Sequence, residues 1–234
     1  MDFVLIFLLI LGGIVALYAI IYTLIYISKK DRDSSKEEDN IIEYDFSDSQ
    51  ELAGIKGEKF VQHFLNLLKK DDEYLLTNML LPYGKNRKAE IDMVLITRKG
   101  VFCIEVKTWS GHIIGNNDDK YWIQIFDDER RESKRHPNPV IQNEGHTDIL
   151  YRLLNRSYQI DNVVIFQNLE DGSRIKSNYC YSLSQFMTCY KHYDNEITIE
   201  DVKSIYEKVK TYVGTPYELE RHRNELQNRF KNRI

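Results

Sequence analysis

Two acidic residues and a lysine lie close together in a stretch of strand-like sequence. Asp92 lies near the start of one apolar run, and Glu105 and Lys107 lie in the next run, after a short loop that contains Gly100. Side chains at positions i and i+2 of a strand share a face, so Glu105 and Lys107 point the same way. Pairing of the two runs as a β-hairpin would bring Asp92 beside Glu105. Charges gathered in this way are costly to desolvate unless a cation or a substrate compensates them.

Such a cluster suits a divalent cation with oxygen ligands. Mg²⁺ takes one or two carboxylates together with water and phosphate oxygens, which makes Asp92 and Glu105 candidate ligands. A metal held there could acidify a water, orient it and neutralise charge on a phosphodiester. Lys107 could position or deprotonate that water, or stabilise the pentacovalent oxygens. The alternative is a salt-bridge cluster on a solvated sheet face, which would carry no chemistry.

Other ligands and cofactors are less well indicated. Glu90 lies in the same run as Asp92, and we expect alternation along the strand to turn it away and make it a poor metal ligand. The six histidines show no zinc-ligand spacing, and no C-x-x-C pair occurs, so zinc is not expected. The sequence contains no P-loop and no Gly-rich dinucleotide fingerprint, so ATP or NAD dependence is not indicated.

The elements that must position these residues indicate an α/β fold. Apolar residues at helical spacing predict an amphipathic helix over 53–70, with its apolar face at Ile55, Phe60, Phe64, Leu67 and Leu68. Strands are predicted over 74–81, 90–97, 101–108, 120–126 and 162–167. Asn138 and Pro139 form an N-cap and N1 pair that opens a helix running to about Asn155. Further helices are predicted over 183–192, 198–213 and 217–234.

Two more polar residues occupy helices near the hairpin, and each has two interpretations. Glu58 lies beside the apolar face of the first helix, where it either adds a metal or water ligand or is an exposed residue favoured by the helix dipole. Gln142 lies one turn into its helix. Its amide either contacts a phosphate or an active-site water, or completes the capping interactions.

The order and spacing of several motifs resemble the NERD (nuclease-related) domain family. The motifs are G-x-x-G-E at 54–58, E-I-D at 90–92, G-V-F-C-I-E-V-K-T-W-S-G at 100–111, a strand around Trp122, and N-P-x-x-Q at 138–142. The resemblance runs from about residue 52 to 155. That family is regarded as a branch of the PD-(D/E)xK, restriction-endonuclease-like superfamily. Ile91 stands where the general motif has proline, although the NERD pattern itself has E-I-D there.

The resemblance implies a restriction-endonuclease-like core, a mixed sheet with flanking helices. It also implies a nuclease that depends on Mg²⁺, with Mn²⁺ as a substitute, and that prefers DNA, although nothing in the residues excludes RNA. The implied active site consists of Glu58, Asp92, Glu105 and Lys107, with Gln142 as a polar partner from a helix. Glu58 would join Asp92 and Glu105 as a metal ligand.

The first residues form a long apolar segment. Residues 3–27 contain no charge and no proline, and about 20 apolar residues suffice for a helix to cross a bilayer. The segment therefore predicts a single transmembrane helix. Lys29, Lys30 and Arg32 follow it, so the positive-inside rule places the C-terminal domain in the cytoplasm. Gly12 and Ala16 form a small-xxx-small pair, a weak indication of a homodimer.

These patterns divide the chain into four parts. We expect a transmembrane helix at 3–27, a polar tether at 28–51, the nuclease-like core at 52–167 and a C-terminal helical extension at 168–234. The function favoured by the sequence is a membrane-anchored, metal-dependent nuclease. The alternative is a catalytically silent, membrane-tethered module of the same fold that binds nucleic acid or protein.

The composition sets limits on these functions. The chain has 234 residues, a net charge of −4 and three cysteines, so it is neither a polycation that holds nucleic acid by charge alone nor a disulfide scaffold. An odd number of cysteines fits reduced thiols in the cytosol. Basic residues flank the hairpin and could bind phosphates at the rim of the site; they are Lys85, Arg87, Lys88, Arg98 and Lys99.

Overall fold

A computed structural model describes residues 49–85, 87–127, 131–194 and 196–231, without the side chains of 49–51, 230 and 231. The transmembrane helix predicted at 3–27 and the predicted tether up to residue 48 lie outside this part of the chain. Within the described residues, no helix is both long and apolar enough to cross a membrane. The residues from Asp48 onward form one compact unit.

Helices and strands alternate along the described chain. The helices are α1 (Ser49–Leu68), α2 (Pro139–Leu153), α3 (Leu183–His192), α4 (Ile199–Val209) and α5 (Pro216–Lys231). The strands are β1 (Tyr74–Tyr83), β2 (Arg87–Thr97), β3 (Gly100–Lys107), β4 (His112–Asn116), β5 (Tyr121–Ile125), β6 (Lys134–Pro137), β7 (Ile160–Phe166), β8 (Arg174–Lys176) and β9 (Cys180–Ser182). The predicted mixed α/β class is confirmed.

The strands form two mixed sheets. The larger has the order β1-β2-β3-β7-β9, and the smaller has the order β6-β5-β4-β8. In the larger sheet β1, β2 and β3 are antiparallel neighbours, whereas β7 runs parallel to both β3 and β9. The turn from β2 to β3 depends on Gly100, whose φ of +140° is rarely adopted by residues with a side chain. The predicted hairpin is therefore present.

Helices cover both faces of the larger sheet. On one face α2 and α4 bury apolar side chains against β1, β2 and β3, including Leu150, Val202 and Ile205. On the other face α1 and α3 do the same, with Val61, Leu65 and Phe186 in the core. A third core lies around Trp122 of the smaller sheet. The described residues from Ser49 onward therefore form a helix–sheet–helix sandwich, with the smaller sheet packed against one part of it.

The buried face of α1 differs from the predicted one. Phe60 and Leu67 are 45% and 68% exposed, whereas Val61 and Leu65 are fully buried. Gly57 explains the difference, because a Cβ at that position would overlap Thr108 and lie 2.6 Å from the side chain of Gln167. The helix approaches the sheet most closely at Gly57. The residues on the same side of the helix as Gly57, namely Val61 and Leu65, are therefore buried.

The region after residue 167 contains strands as well as helices. We expected a helical extension at 168–234, but β8 joins the smaller sheet and β9 pairs with β7 of the larger one. These strands are only three residues long, too short for a periodic pattern. The predicted boundary between the core and this extension stays a prediction.

Candidate active site

The pairing of β2 and β3 ends just before the two acidic residues. The last residue pair of the ladder is Met93 with Ile104, so Asp92 and Glu105 would form the next one. Instead, Oδ2 of Asp92 accepts a hydrogen bond of 2.8 Å from the backbone N–H of Val106. The Asp92 side chain thus replaces a main-chain acceptor and is fixed beside β3, close to Glu105 as the sequence predicted.

Glu105 is the centre of a small hydrogen-bonded cluster. Its side chain is 5% exposed, and Oε1 lies 2.5 Å from the ammonium nitrogen of Lys107. The side-chain amide of Gln142 donates to the same oxygen at 2.9 Å, while Lys107 also donates to Oε1 of Gln142 at 3.3 Å. One carboxylate oxygen, one ammonium group and one amide therefore form a closed triangle, which joins β3 to α2.

Helix α2 is held in place by a buried asparagine. The side-chain amide of Asn143 donates to the carbonyl of Cys103 at 2.8 Å and to Oδ1 of Asn162 at 2.7 Å. At the start of the helix, Oδ1 of Asn138 accepts from the N–H of Val140, as the predicted N-cap requires. These bonds fix the helix against β3 and β7, so that Gln142 faces Glu105.

Glu58 approaches the cluster from α1 on the other side of the sheet. Burial raises the pKa of its carboxyl, and the charges of Glu90 and Glu105 raise it further, while Arg223 and Lys107 lower it. The side chain therefore lies within the electrostatic field of the cluster. The close approach of α1 at Gly57 brings it there. Glu58, Asp92, Glu105, Lys107 and Gln142 all lie in one region of the molecule.

The prediction for Glu90 relied on alternation along the strand, and alternation is interrupted on β2 around Asp92. Ile91 packs in the same core as Val94 and Ile96, whereas Met93 packs in the other core. Glu90 and Asp92 line one groove, and the expectation that Glu90 is a poor metal ligand stays a prediction. Glu90 forms an ion pair of 2.6 Å with Arg223 of α5, which gives its charge a partner other than a metal.

His146 is a site residue that the sequence analysis did not identify. It lies four residues after Gln142 on α2, hence on the same face of that helix. Its Nδ1 lies 3.6 Å from Oε2 of Glu105, and the side chain is 13% exposed. Within the described residues this buried nitrogen has no hydrogen-bond partner. Burial lowers the pKa of His146. The positive charge of Lys107 lowers that pKa further, whereas the negative charge of Glu105 raises it. The four-residue spacing from Gln142 was the available signal.

The cluster carries more negative charge than its partners balance. Burial raises the pKa of the Asp92 carboxyl well above its usual range, and the charges of Glu105 and Glu58 raise it further. The Val106 N–H and the Lys107 ammonium act in the opposite direction. A bound divalent cation would remove this penalty, because it favours the ionised carboxylates.

The acidic residues are spaced more widely than in a closed metal cage. In the described part of the chain, one group of three potential ligands has its atoms within 4.8 Å of one another, and it consists of His112, Asp127 and Glu170 on the smaller sheet and its loops. Mg²⁺ is commonly held through one or two carboxylates and several waters. The donor set at Asp92 and Glu105 fits that mode of binding.

The site opens into a groove of about 830 Å³ between the β1–β2 hairpin, α2 and α5. Asp92, Gln142 and His146 line this groove, as do three basic residues, Arg87, Lys88 and Arg152. Arg152 forms an ion pair with Asp148 at 2.5 Å, and Lys88 lies 3.9 Å from a carboxylate oxygen of Glu218. Arg98 and Lys99 do not line this groove. They form the turn at the other end of β2, where Lys99 donates to the carbonyls of Lys191 and Tyr193.

The fold and the cluster together define an α/β domain with an acidic, lysine-containing site at the end of a sheet hairpin. Residues 53–167 match the family model described as NERD, nuclease-related domain, which supports the NERD family. An uncharacterized protein of Bacillus anthracis is 26% identical over 162 residues, which cover 67% of this chain and 74% of that protein. No solved structure matches the chain.

Proposed function

We propose that this protein is a membrane-anchored, divalent-metal-dependent nuclease that hydrolyses phosphodiester bonds, with DNA preferred over RNA. One observation carries the proposal: Asp92, Glu105 and Lys107 of the hairpin meet Gln142 of α2, and Asp92 and Gln142 line a groove that also contains three basic residues. The match of residues 53–167 to a nuclease-related domain supports the same activity.

Each residue of the cluster has a role that follows from its contacts. Mg²⁺ or Mn²⁺, held by Asp92 and Glu105 with Glu58 as a third ligand, would supply an activated water and neutralise charge on the phosphodiester. Gln142 orients Glu105 through the 2.9 Å hydrogen bond. Lys107 places a positive charge beside the same carboxylate, where it can also bind a phosphate oxygen.

The groove accounts for substrate binding in this proposal. Arg87, Lys88 and Arg152 line it, and their charges would bind the phosphates on either side of the scissile bond. For Lys88 and Arg152 these contacts would replace the present ones with Glu218 and Asp148. Such contacts position a nucleic acid without reading its sequence. The overall charge of −4 means that binding depends on this local group of basic residues.

The proposal of a membrane anchor is based on the apolar residues 3–27. The proposed cytoplasmic position of the domain is based on the basic residues that follow, Lys29, Lys30 and Arg32. Anchoring would confine the enzyme to nucleic acid near the bilayer. Cell fractionation tests this part separately. The full chain should pellet with membranes and resist carbonate extraction, whereas a chain without residues 1–28 should not.

The activity is tested with the full chain purified in detergent. Supercoiled plasmid, linear duplex, single-stranded DNA and RNA are incubated with Mg²⁺, Mn²⁺ or EDTA. We expect metal-dependent cleavage that Asp92→Asn and Lys107→Met abolish. Glu144→Gln, an exposed change on the same helix as Gln142, should leave cleavage unchanged.

The second candidate is the catalytically silent binding module of the same fold. The ion pair of 2.5 Å between Lys107 and Glu105 favours it, because that contact partly satisfies the carboxylate without a metal. Nucleic-acid binding by the folded protein, with no cleavage under any metal and no effect of Asp92→Asn on binding, would establish this function instead.

A further inference from the structure

We propose that His146 is a metal ligand of this site through Nδ1 and that it shifts the metal preference from Mg²⁺ toward Mn²⁺. This inference rests on the proposed metal-dependent function. The acidic residues and the lysine of the cluster do not by themselves provide a nitrogen ligand or a preference for Mn²⁺.

The two oxygens of Glu105 have different surroundings. Oε1 already accepts hydrogen bonds from Lys107 and from Gln142. Oε2 lies on the side of His146 instead, 3.6 Å from its Nδ1. A cation that binds Glu105 without displacing Lys107 and Gln142 therefore binds Oε2, next to the imidazole.

The distance between these two atoms suits a shared ion. Metal–ligand bonds of about 2.0 to 2.3 Å place two adjacent ligands of one ion roughly 3 to 4 Å apart. The separation of 3.6 Å between Oε2 of Glu105 and Nδ1 of His146 lies in this range. Asp92 lines the same groove as His146, so water molecules can complete the coordination shell from that side.

The surroundings of His146 leave Nδ1 without a hydrogen-bond partner. Nδ1 is buried and makes no hydrogen bond within the described residues. Buried polar atoms in folded proteins are almost always satisfied by protein, water or a bound ion. A cation between His146 and Glu105 would satisfy both the unpartnered nitrogen and the second oxygen of the carboxylate.

The ligand type determines the metal preference. Mg²⁺ strongly prefers oxygen ligands, whereas imidazole nitrogen suits first-row transition metals better. A site with carboxylates alone suits both ions and would discriminate little between them. Addition of His146 makes Mn²⁺ the better-bound ion at equal concentration.

Metal binding is measured directly, with the full chain in detergent and no nucleic acid. Free Mn²⁺ is followed by electron paramagnetic resonance during titration, and Mg²⁺ affinity is obtained by competition. We expect His146→Ala to weaken Mn²⁺ binding by at least about tenfold and Mg²⁺ binding by less than about threefold. The control is His63→Ala, which changes an exposed histidine on α1.

A second variant keeps the test valid if the alanine variant does not fold. His146→Gln fills a similar volume with an amide, which is a weak ligand for Mn²⁺, and it should show the same loss of Mn²⁺ preference. Unchanged Mn²⁺ and Mg²⁺ affinities in a folded His146 variant would overturn this inference alone. If the wild-type chain binds neither ion, the metal-dependent function itself fails.

Discussion

The ammonium nitrogen of Lys107 lies 2.5 Å from Oε1 of Glu105, two residues earlier on the same face of β3. The carboxylate is almost completely buried, and the lysine side chain is 16% exposed. The contact neutralises a buried charge. In the proposed nuclease it would also keep a cation beside the bound phosphate.

Removal of Lys107 should destabilise the protein as well as inactivate it. In Lys107→Met the buried Glu105 carboxylate loses its counter-charge, and we expect a loss of about 3 kcal/mol in the free energy of unfolding. The double variant Glu105→Gln/Lys107→Met should lose less than Lys107→Met alone, because both charges are then absent. Urea unfolding at pH 7.5 measures wild type, Glu105→Gln, Lys107→Met and the double variant. Additive losses in the double variant would show that the pair contributes no coupling.

Replacement of Asp92 should have the opposite effect on stability. The folded-state pKa of this carboxyl lies well above its usual value, mainly because it is buried. The folded protein then holds the proton more tightly than the unfolded chain. The free energy of unfolding falls as pH rises from about 3.9, the usual aspartate value, through the folded pKa. Asp92→Asn keeps an acceptor for Val106 and has no such penalty, so it should melt at a higher temperature than wild type at pH 7.5.

The same variant separates stability from metal binding. Thermal melts over pH 3 to 8 should show the advantage of Asp92→Asn shrinking toward acid pH. Mg²⁺ should raise the melting temperature of wild type and of the exposed control Asp118→Asn, but not that of Asp92→Asn. A lower melting temperature for Asp92→Asn at pH 7.5 would contradict the argument from burial.

The two glycines of the first helix should respond in opposite directions to alanine. A Cβ at Gly57 would overlap Thr108, whereas nothing lies within 4 Å of a Cβ at Gly54. We expect Gly57→Ala to cost about 1–3 kcal/mol and to displace Glu58. Gly54→Ala should gain about 0.5–1 kcal/mol from helix propensity. Chemical denaturation of the two variants gives both numbers, and equal effects would show that α1 does not depend on close approach at Gly57.

The basic residues that line the groove should determine the salt dependence of nucleic-acid binding. Arg87→Gln/Lys88→Gln removes two charges from the groove. The slope of log affinity against log salt should become shallower by about one to two. Fluorescence anisotropy with a labelled oligonucleotide measures it, using Asp92→Asn protein to prevent cleavage. Lys203→Gln, an exposed change on α4, should leave the slope unchanged.

Local signals made parts of the structure predictable from sequence. The hairpin follows from a tight turn at Gly100, and the start of α2 follows from Asn138 and Pro139. Because strand alternation is a local rule, it also placed Glu105 and Lys107 on one face. The convergence of Gln142 with them required the family resemblance, since the sequence spacing of the helix and the strand does not fix their packing.

Other parts depend on contacts between distant segments. The ion pair between Glu90 and Arg223 joins residues 133 positions apart, and no local sequence pattern in either segment predicts it. The position of His146 next to Glu105 depends on the rotation of α2, which the buried side chain of Asn143 fixes. The alternation rule could not place Glu90 relative to Asp92, because alternation on β2 is interrupted between Ile91 and Val94.

The pairing of β9 with β7 has a practical consequence for anyone who expresses this protein. The nuclease-related match ends at residue 167, but β9 (Cys180–Ser182) extends the larger sheet and α4 covers one of its apolar faces. A shortened protein that stops at 167 would expose both an unpaired strand edge and a bare hydrophobic surface, the usual causes of insoluble aggregates. The segment recognised by sequence comparison is therefore smaller than the segment that folds.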